Sequence, residues 1–362
     1  MPKINVLLTC IGGFFALDIV DAIRMDNDLD VRIVGVDGDP DVVNRHFLDT
    51  FYPVPLAATA PDDFVSALLE ICRQEAIDIV LPGADEEVWA LSRVKDKFLG
   101  IGTKCAVQDS DTVELIRDKV RFFETASQAG VSVPGFAAVS STEEFVQVAN
   151  WLGYPDRRVV LKPRTGRGAR GVIIVDPDAG DLTVIQEARG FELGSLDQIA
   201  EKLDKEEGPL ALMAMEFLPG DIYDVDCLAD EGVPKCVVPR RRLWGTPFSR
   251  GVEGHQIVRN EAMEQVTRTI AETLSLSYVF DCDFGTTADG LPGLLEINPR
   301  WSGSVTAAIA GGVNLPSLLV RSMAGLPVPT LQLRTGMNVF PVIRMAFQRD
   351  PHQATLMAGL EQ

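Results

Sequence analysis

A glycine-rich stretch between two strand-like runs is the feature that most constrains the fold. Residues 164–171 read RTGRGARG and carry the spacing G-x-G-x-x-G at Gly166, Gly168 and Gly171. That spacing marks a dinucleotide site only where it follows a strand and opens a helix, whose N-terminus holds the pyrophosphate. Here residues 172–175 read VIIV, a β-branched run that favours a strand. The glycines are therefore predicted to form a loop between two strands, which disfavours a dehydrogenase-type site.

The predicted loop has the composition of an anion-binding lid. Its glycines would let backbone amides lie over a phosphate chain. Lys162, at the end of the preceding strand, could bring its ammonium group to the same anion. A solvated basic hairpin without a ligand is the alternative that this stretch alone leaves open.

The first 108 residues alternate strands and helices. This rhythm predicts an α/β domain with a small parallel sheet and helices on both faces. Gly12 and Gly13 follow the first strand, with Asp37 ending the second, but this glycine pattern is incomplete for a dinucleotide site. The predicted strands are 4–8, 31–36 and 77–81, and the predicted helices are 14–24, 62–74 and a segment that opens after 82–87 and ends near 94.

The remainder of the chain is richer in strands. A helix is predicted over 112–130, another after the capping pattern at 140–144 and a third over 261–274. The predicted strands are 136–139, 159–161, 172–175, 210–217, 222–229, 236–239, 279–285 and 293–297, with one more in the tail at 338–344.

Composition limits the class of partner. The net charge of -19 argues against a nucleic-acid or anionic-membrane binder, and no apolar run reaches membrane length. The six cysteines include no C-x-x-C pair, and the three histidines are far apart, so a zinc site is not expected. The cysteines are interpreted as reduced, as in a cytoplasmic protein.

A second informative stretch, GLLEINPRWSGS at 293–304, ends a predicted strand. Glu296 and Asn298 are two residues apart and therefore share one face of that strand. An Ala-Asp-Gly turn would bring the preceding strand back antiparallel and place Asp283 beside them. Two carboxylates and an amide oxygen suit Mg²⁺, and Arg300 could meet a phosphate. The alternative is a structural carboxylate paired with Arg300.

Together, the two stretches and their spacing resemble the ATP-grasp superfamily, in particular its carbamoyl-phosphate-synthase-like and carboxylate–amine ligase members. The resemblance runs from the first strand to about residue 330. It implies an N-terminal Rossmann-like domain followed by a two-lobed α+β ATP-grasp domain. The implied boundaries are 1–108 for the N-terminal domain, 109–214 for the small lobe with the glycine-rich loop, 215–330 for the large lobe with the metal site, and 331–362 for a tail packed on the core.

The resemblance also implies residue roles in binding MgATP, with Mn²⁺ as an alternative metal. Ile222 stands where the family often has a ribose-binding glutamate, so the alternatives are that Asp221 or Asp224 replaces it or that the ribose is held loosely. The implied nucleotide contacts are Lys119 of an Asp-Lys helix signature, Lys162, the loop glycines Gly166, Gly168 and Gly171, and the hinge Met215, Glu216, Phe217 and Leu218; the implied metal ligands are Asp283, Glu296 and Asn298.

The activity implied by the resemblance is phosphorylation of a carboxylate by MgATP, followed by attack of an amine on the acyl phosphate. The implied catalytic residues are Arg300, Arg240, Arg242 and Lys162, since strand alternation lets only part of the triplet 240–242 face the site. Glu86, Glu87, Arg250 and Ser302 are candidate substrate contacts. A solvated charge run and a helix-starting pair of glutamates are the alternatives for 240–242 and 86–87.

Other activities stay open at this point. A carbamate- or carboxyphosphate-forming enzyme is a rival within the fold, and a non-catalytic nucleotide-binding regulator is a rival outside catalysis. The expected partners are a small carboxylate and a small amine, and the resemblance also allows a homodimer. No local motif names the acid or the amine.

Overall fold

The computed structural model describes residues 3–166, 171–180, 183–185, 191–243, 254–342, 346–350 and 353–356. Its first unit is a parallel sheet of five strands in the order β3-β2-β1-β4-β5. Apolar side chains on both faces of this sheet, such as Val6 and Leu7, are buried under the helices. The elements are β1 (Lys3–Leu8), α1 (Ala16–Arg24), β2 (Asp30–Asp37), a 3-10 turn (Val43–Phe47), β3 (Thr50–Pro53), α2 (Pro61–Gln74), β4 (Ile79–Leu81), α3 (Asp85–Ser92), α4 (Lys95–Leu99) and β5 (Lys104–Cys105).

The second unit is a six-stranded mixed sheet in the order β6-β11-β7-β8-β10-β9. Strands β7 and β8 pair antiparallel on either side of the glycine-rich stretch, which confirms the predicted strand–loop–strand arrangement. The elements are α5 (Ser110–Arg117), α6 (Lys119–Gln128), β6 (Phe136–Val139), α7 (Thr142–Trp151), β7 (Val159–Pro163), β8 (Ile173–Val175), β9 (Thr183–Ile185), β10 (Phe191–Gly194), α8 (Leu196–Leu203) and β11 (Leu212–Glu216).

The third unit is an antiparallel sheet of six strands in the order β16-β15-β12-β13-β14-β17. Its two faces differ in character because successive side chains alternate across a strand. Val225, Cys227 and Phe284 are buried on one face in a core shared with α6 and α9. The elements are β12 (Ile222–Asp230), β13 (Val233–Arg242), β14 (His255–Ile257), α9 (Glu261–Thr273), β15 (Tyr278–Thr286), β16 (Pro292–Asn298), a 3-10 turn (Val305–Gly311), α10 (Leu315–Met323) and β17 (Asn338–Val339).

These three units confirm the predicted fold class, but the helix predicted over 112–130 is wrong as one helix. The chain breaks at Asp118, which has extended backbone angles and ends α5. The Asp118 side chain then caps α6 by accepting a hydrogen bond from the Arg121 amide at 3.2 Å. An aspartate at this position satisfies the first turn of a new helix, and the apolar periodicity continues through the break unchanged.

The first part of the tail, residues 331–342, lies along the third sheet and the first unit. Strand β17 pairs with β14, and Leu331 and Leu333 pack against the first core. The predicted tail strand at 338–344 is shorter in the structure, where β17 covers Asn338–Val339 within the described residues. A hairpin of β18 (Ala346–Asp350) and β19 (Gln353–Leu356) follows. Among the helices that the structure describes, none is both long and apolar enough to cross a bilayer.

We expect Phe123→Ala to destabilise the protein by about 3–5 kcal/mol, because Phe123 is fully buried in the core between α6 and the third sheet. Phe14→Ala is the matched control, since Phe14 is 62% exposed and its loss should cost about 0.5 kcal/mol or less. Urea denaturation followed by circular dichroism measures both. Equal losses for the two variants would contradict the packing described here.

Candidate active site

The other face of the third sheet carries two rows of charged or polar side chains. Strand register aligns Asp224 with Asp283, and Asp283 with Glu296. The next row aligns Asp226 with Asp281, and Asp281 with Asn298 at the end of β16. The structure thus places Asp283 directly opposite Glu296, as the sequence predicted, and puts Asn298 opposite Asp281 in the adjacent row.

Two arginines of β13 neutralise part of this acidic face. Arg240 is fully buried, and its guanidinium pairs with Asp226 and donates to the Ser304 carbonyl oxygen at 3.0 Å. Arg242 bonds Asp224 and lies 3.1 Å from Asp283 Oδ1. Arg240 and Arg242 thus share the acidic face.

Arg241 lies on the opposite face of β13. Its guanidinium pairs with Asp221 at 3.2 Å and donates to Gln256 at 2.9 Å. Side chains that alternate between the two faces of β13 therefore bring Arg240 and Arg242, and not Arg241, to the acidic face.

The carboxylates of the acidic face repel one another, and their burial changes their pKa values. Burial, with the neighbouring Asp224 and Glu296 charges, raises the pKa of Asp283 to about 8. Burial together with Asp283 also raises the pKa of Asp281 well above its usual range. Although burial acts in the opposite direction, Arg242 holds the pKa of Asp224 below its usual range. Clustered carboxylates of this kind favour binding a cation.

The donor set fits a hard divalent cation. Carboxylate oxygens of Asp224, Asp281 and Asp283 lie within 4.8 Å of one another. The buried Oδ1 of Asp281 has no hydrogen-bond partner among the described residues. Asn298 donates through Nδ2 to Asp281 Oδ2 at 3.2 Å. This hydrogen bond does not use the amide oxygen of Asn298, which is the atom that could coordinate a cation. Oxygen ligands in such numbers suit Mg²⁺ or Mn²⁺.

Two buried lysines border the acidic face on the side of the second unit. Lys119, the first residue of α6, lies 3.2 Å from Glu296 Oε1 and donates to the Gly166 carbonyl oxygen at 2.9 Å. Lys162, near the end of β7, donates to the Leu295 carbonyl oxygen at 2.8 Å. Burial lowers the pKa of Lys162 to about 8, partly offset by the Glu296 charge. The structure therefore gathers Lys119, Lys162, Gly166 and Glu296 at one place.

The glycine-rich stretch is fixed at its first residues. Arg164 forms two bonds of 2.8 Å to the Asp118 carboxylate, and its carbonyl oxygen accepts from the Lys119 amide at 3.0 Å. Gly171, at the other end, has a φ of +71° and lies so close to Pro163 that a Cβ would meet that ring at 2.9 Å. Gly168 lies outside the described residues, as does Arg250.

The predicted adenine hinge follows the strand β11. Met215 and Glu216 pair with Val160 and Val159 of β7, so their backbones belong to the sheet. Glu216 also accepts a hydrogen bond from the Gly135 amide at 2.8 Å. Phe217 lies under the Arg158 guanidinium, and Leu218 is buried where the hinge meets the third sheet.

Arg300 connects the third sheet to the first unit. Its guanidinium pairs with Asp85, the first residue of α3, at 2.9 Å and donates to the Trp301 carbonyl oxygen at 2.8 Å. Ser302, two residues later, is buried and bonds Asp226 at 3.0 Å and Arg240 at 2.8 Å. Ser302 therefore helps to hold Asp226 and Arg240 in position.

The two predicted substrate glutamates lie in different places. Glu87 turns inward, where one carboxylate oxygen accepts from the Thr9 hydroxyl at 2.5 Å and from the Gly83 and Ala84 amides. This arrangement fixes the start of α3, which is the structural alternative considered for the pair. Glu86 instead lines a cleft beside Glu296 and Asn298.

Two family models match separate parts of the chain. A family model described as "ATP-grasp in the biosynthetic pathway with Ter operon" matches residues 209–344, and a model of the "PylC-like, N-terminal domain" matches residues 6–106. The carbamoyl phosphate synthase large chain of Methanosphaerula palustris is 23% identical over 336 residues, covering 84% of this chain and 28% of that protein. The chain therefore spans less than a third of the length of this relative.

Solved structures agree on the fold. An N5-carboxyaminoimidazole synthetase from Staphylococcus aureus matches with a TM-score of 0.66 at 15% identity, covering 91% of this chain and 80% of the other. An l-amino acid ligase from Bacillus licheniformis matches with a TM-score of 0.64 at 16% identity, covering 96% and 82%. Residues 209–344 therefore match an ATP-grasp family model, and the chain shares the fold of these solved structures.

Several residues of the site were not predicted from the sequence. Asp281 lies two positions before Asp283 on the same strand face, so the period of two already pointed to it. Asp85, Trp89 and Arg117 reach the cleft from the first and second units, and no local pattern links them to Glu296.

We expect Glu87→Gln to flatten the pH dependence of stability. Burial raises the pKa of Glu87 from its ordinary value of 4.5 to about 7. Between these values the folded chain holds a proton that the unfolded chain has released, so the unfolding free energy of the wild type falls as the pH rises from about 4.5 to 7. Glutamine keeps an acceptor oxygen for Thr9 and removes the titration.

Thermal unfolding from pH 5 to pH 8 measures this difference. The Tm of Glu87→Gln relative to wild type should rise with pH, whereas Glu143→Gln, an exposed position in the first turn of α7, should show no such trend. Parallel Tm curves for Glu87→Gln and wild type would contradict the buried environment of Glu87.

Proposed function

We propose that this chain is an ATP-dependent ligase that activates a carboxylate as an acyl phosphate and joins it to an amine, releasing ADP and phosphate. The observation that carries the proposal is the meeting of Asp283, Glu296 and Asn298 with two buried lysines and the start of the glycine-rich stretch. Acidic ligands and lysines side by side suit a metal–triphosphate, which brings both signs of charge. Relatives of the same fold include ligases by name.

Lys119 and Lys162 are the proposed contacts for the nucleotide phosphates. The Lys119 ammonium group pairs with Glu296, and the Lys162 ammonium group donates to the Leu295 carbonyl oxygen. Both ammonium groups are therefore held in place before ATP binds. The amides of 166–171 would cover the same phosphates, and the hinge at 215–218 would hold the adenine.

The acidic rows are the proposed site for the metal that accompanies ATP. Asp283, Glu296 and Asn298 would hold it, and bound Mg²⁺ supplies charge neutralisation for the phosphoryl group. Asp224 was a candidate for the ribose, but its pairing with Arg242 and its place beside Asp283 support a role in this cluster instead. In this proposal Asp224 keeps the Arg242 guanidinium oriented.

Arg242 and Arg300 are the proposed contacts for the substrate carboxylate and the acyl phosphate. Both have terminal nitrogens beside the acidic face or the cleft, and a guanidinium matches a carboxylate or phosphate with two parallel bonds. Arg240 is enclosed by Asp226, Ser302 and Ser304, so we assign it a positioning role beneath these groups.

We also propose the domain boundaries that were expected from the sequence. The proposed site lies where the N-terminal unit, 1–108, the small lobe, 109–214, and the large lobe, 215–330, meet. The tail, 331–362, and a homodimer play no part in the proposed chemistry.

Turnover separates the ligase from its two rivals. Purified protein with MgATP is assayed for ADP release against pools of carboxylates and amines, and products are identified by mass spectrometry. The ligase requires that one acid and one amine together stimulate ADP release and appear joined in the product. Tight ATP binding with no stimulation would favour a regulator, and stimulation by bicarbonate alone would favour carboxyphosphate chemistry.

We expect Glu296→Gln to lower stimulated ADP release at least a hundredfold, because one metal-binding charge and the partner of Lys119 are lost together. Glutamine preserves the side-chain volume, so the Tm should stay close to that of the wild type. Glu272→Gln, at an exposed site on α9, should leave the rate unchanged. A Glu296→Gln enzyme with normal turnover would contradict the proposed metal site.

A further inference from the structure

Both charged ligands of the proposed metal site already pair with a cation of the chain itself. The Lys119 ammonium group lies 3.2 Å from Glu296 Oε1, and the Arg242 guanidinium lies 3.1 Å from Asp283 Oδ1. The third proposed ligand, Asn298, carries no charge. A free divalent cation that enters this site therefore meets two carboxylates whose charge is already compensated.

The pair between Lys119 and Glu296 is shielded from water. The Lys119 side chain is 7% exposed and the Glu296 side chain is 17% exposed, so dissolved salt screens their attraction weakly. Lys119 is also fixed by the glycine-rich stretch, because its ammonium group donates to the Gly166 carbonyl oxygen at 2.9 Å. Loss of one partner would leave the other as a largely buried charge without compensation. The pair is therefore costly to break unless both charges find new partners.

A metal–nucleotide complex offers a new partner to each of these two charges at once. Its phosphate oxygens would receive Lys119, and its metal ion would receive Glu296. A free metal ion repels Lys119, and a free nucleotide repels Glu296, because the charges have the same sign in each case. Either component alone therefore breaks the ion pair and replaces only one of its two halves.

We propose that the pair between Lys119 and Glu296 makes the site selective for the metal–nucleotide complex over the free metal ion and the free nucleotide. Lys119 is thus a specificity-determining residue as well as a phosphate contact. The inference rests on the proposed function, because it takes Glu296 as a metal ligand and Lys119 as a phosphate contact. Arg242 and Asp283 form a second pair of the same kind in the same site.

Removal of Lys119 should strengthen binding of a free cation. The full chain without nucleotide is titrated with Mn²⁺, and the unbound ion is measured by electron paramagnetic resonance. Lys119→Met keeps the length of the side chain and leaves Glu296 without its partner, so Mn²⁺ should bind roughly tenfold to a hundredfold more tightly than to the wild type. The double variant Lys119→Met/Glu296→Gln should lose this gain, because the uncompensated carboxylate is gone.

Removal of Glu296 should strengthen binding of a nucleotide without metal. ADP is titrated by calorimetry in the presence of EDTA. Glu296→Gln releases Lys119 and removes a repulsive charge, so ADP should bind roughly tenfold more tightly than to the wild type. With MgADP the order reverses, and Lys119→Met and Glu296→Gln should each bind the complex more weakly than the wild type does.

Lys162→Met is the matched control, because Lys162 is a buried lysine on the same side of the site whose ammonium group donates to the uncharged Leu295 carbonyl. Its gain in affinity for free Mn²⁺ should be clearly smaller than that of Lys119→Met. Equal gains would show that loss of any nearby positive charge has this effect, and would overturn the inference. An Mn²⁺ affinity of Lys119→Met no higher than that of the wild type would also overturn it.

The nucleotide titration decides the question if Lys119→Met does not fold. Tighter binding of metal-free ADP to Glu296→Gln supports the inference, and unchanged or weaker binding overturns it. The ligase fails in a different way. If both gains in affinity appear and no acid and amine together stimulate ADP release, the ion pair keeps its role and the ligase is contradicted. If ADP release is stimulated and neither gain appears, the ligase is supported and the selectivity of the ion pair is contradicted.

Discussion

Burial of a charged face on the antiparallel sheet is the constraint on which the site depends. Strands β12, β13, β15 and β16 bury apolar side chains on one face. On the other face they bury Asp224, Asp226 and Asp281 and carry the half-buried Asp283. Buried carboxylates are costly unless they are paired, protonated or bound to a cation. Arg240 and Arg242 supply part of the compensation. The carboxylates that these arginines do not neutralise favour binding of a cation, which suits this face to a metal–nucleotide complex.

The other two units complete this face. The second unit contributes Lys119 and Lys162, and Arg164 ties the start of the glycine-rich stretch to the same helix end through Asp118. The first unit contributes α3, whose first residue, Asp85, holds Arg300. Each unit alone would expose charged side chains without a partner, so the site exists only where all three meet.

Much of this arrangement could be predicted from the sequence, because it depends on local periodicity. The β-branched run after the glycines identified a strand, and a spacing of two placed Glu296 and Asn298 on one face. The turn between β15 and β16 correctly brought Asp283 opposite Glu296. Strand periodicity and a short turn depend on a few neighbouring residues, so tertiary contacts change them little.

The parts that could not be predicted depend on long-range contacts or on one side chain. The ion pair between Asp85 and Arg300 joins residues that are far apart in the sequence. Trp89 likewise reaches its hydrogen-bond partner Glu114 on α5 only in the folded chain. The break at Asp118 interrupts an apolar pattern that continues on both sides of it. Glu87 and Arg240 lie in charged runs whose appearance suggests exposure, yet both are enclosed by specific hydrogen bonds.

The fate of oxygen during turnover tests the acyl phosphate most directly. In the proposed reaction the γ-phosphoryl group passes to a carboxylate oxygen, and the amine then displaces phosphate from carbon. Phosphate released in ¹⁸O-labelled water with the stimulating acid and amine should therefore contain no oxygen from the solvent. One solvent oxygen in each phosphate would show that water attacks ATP directly, which would contradict carboxylate activation by this site.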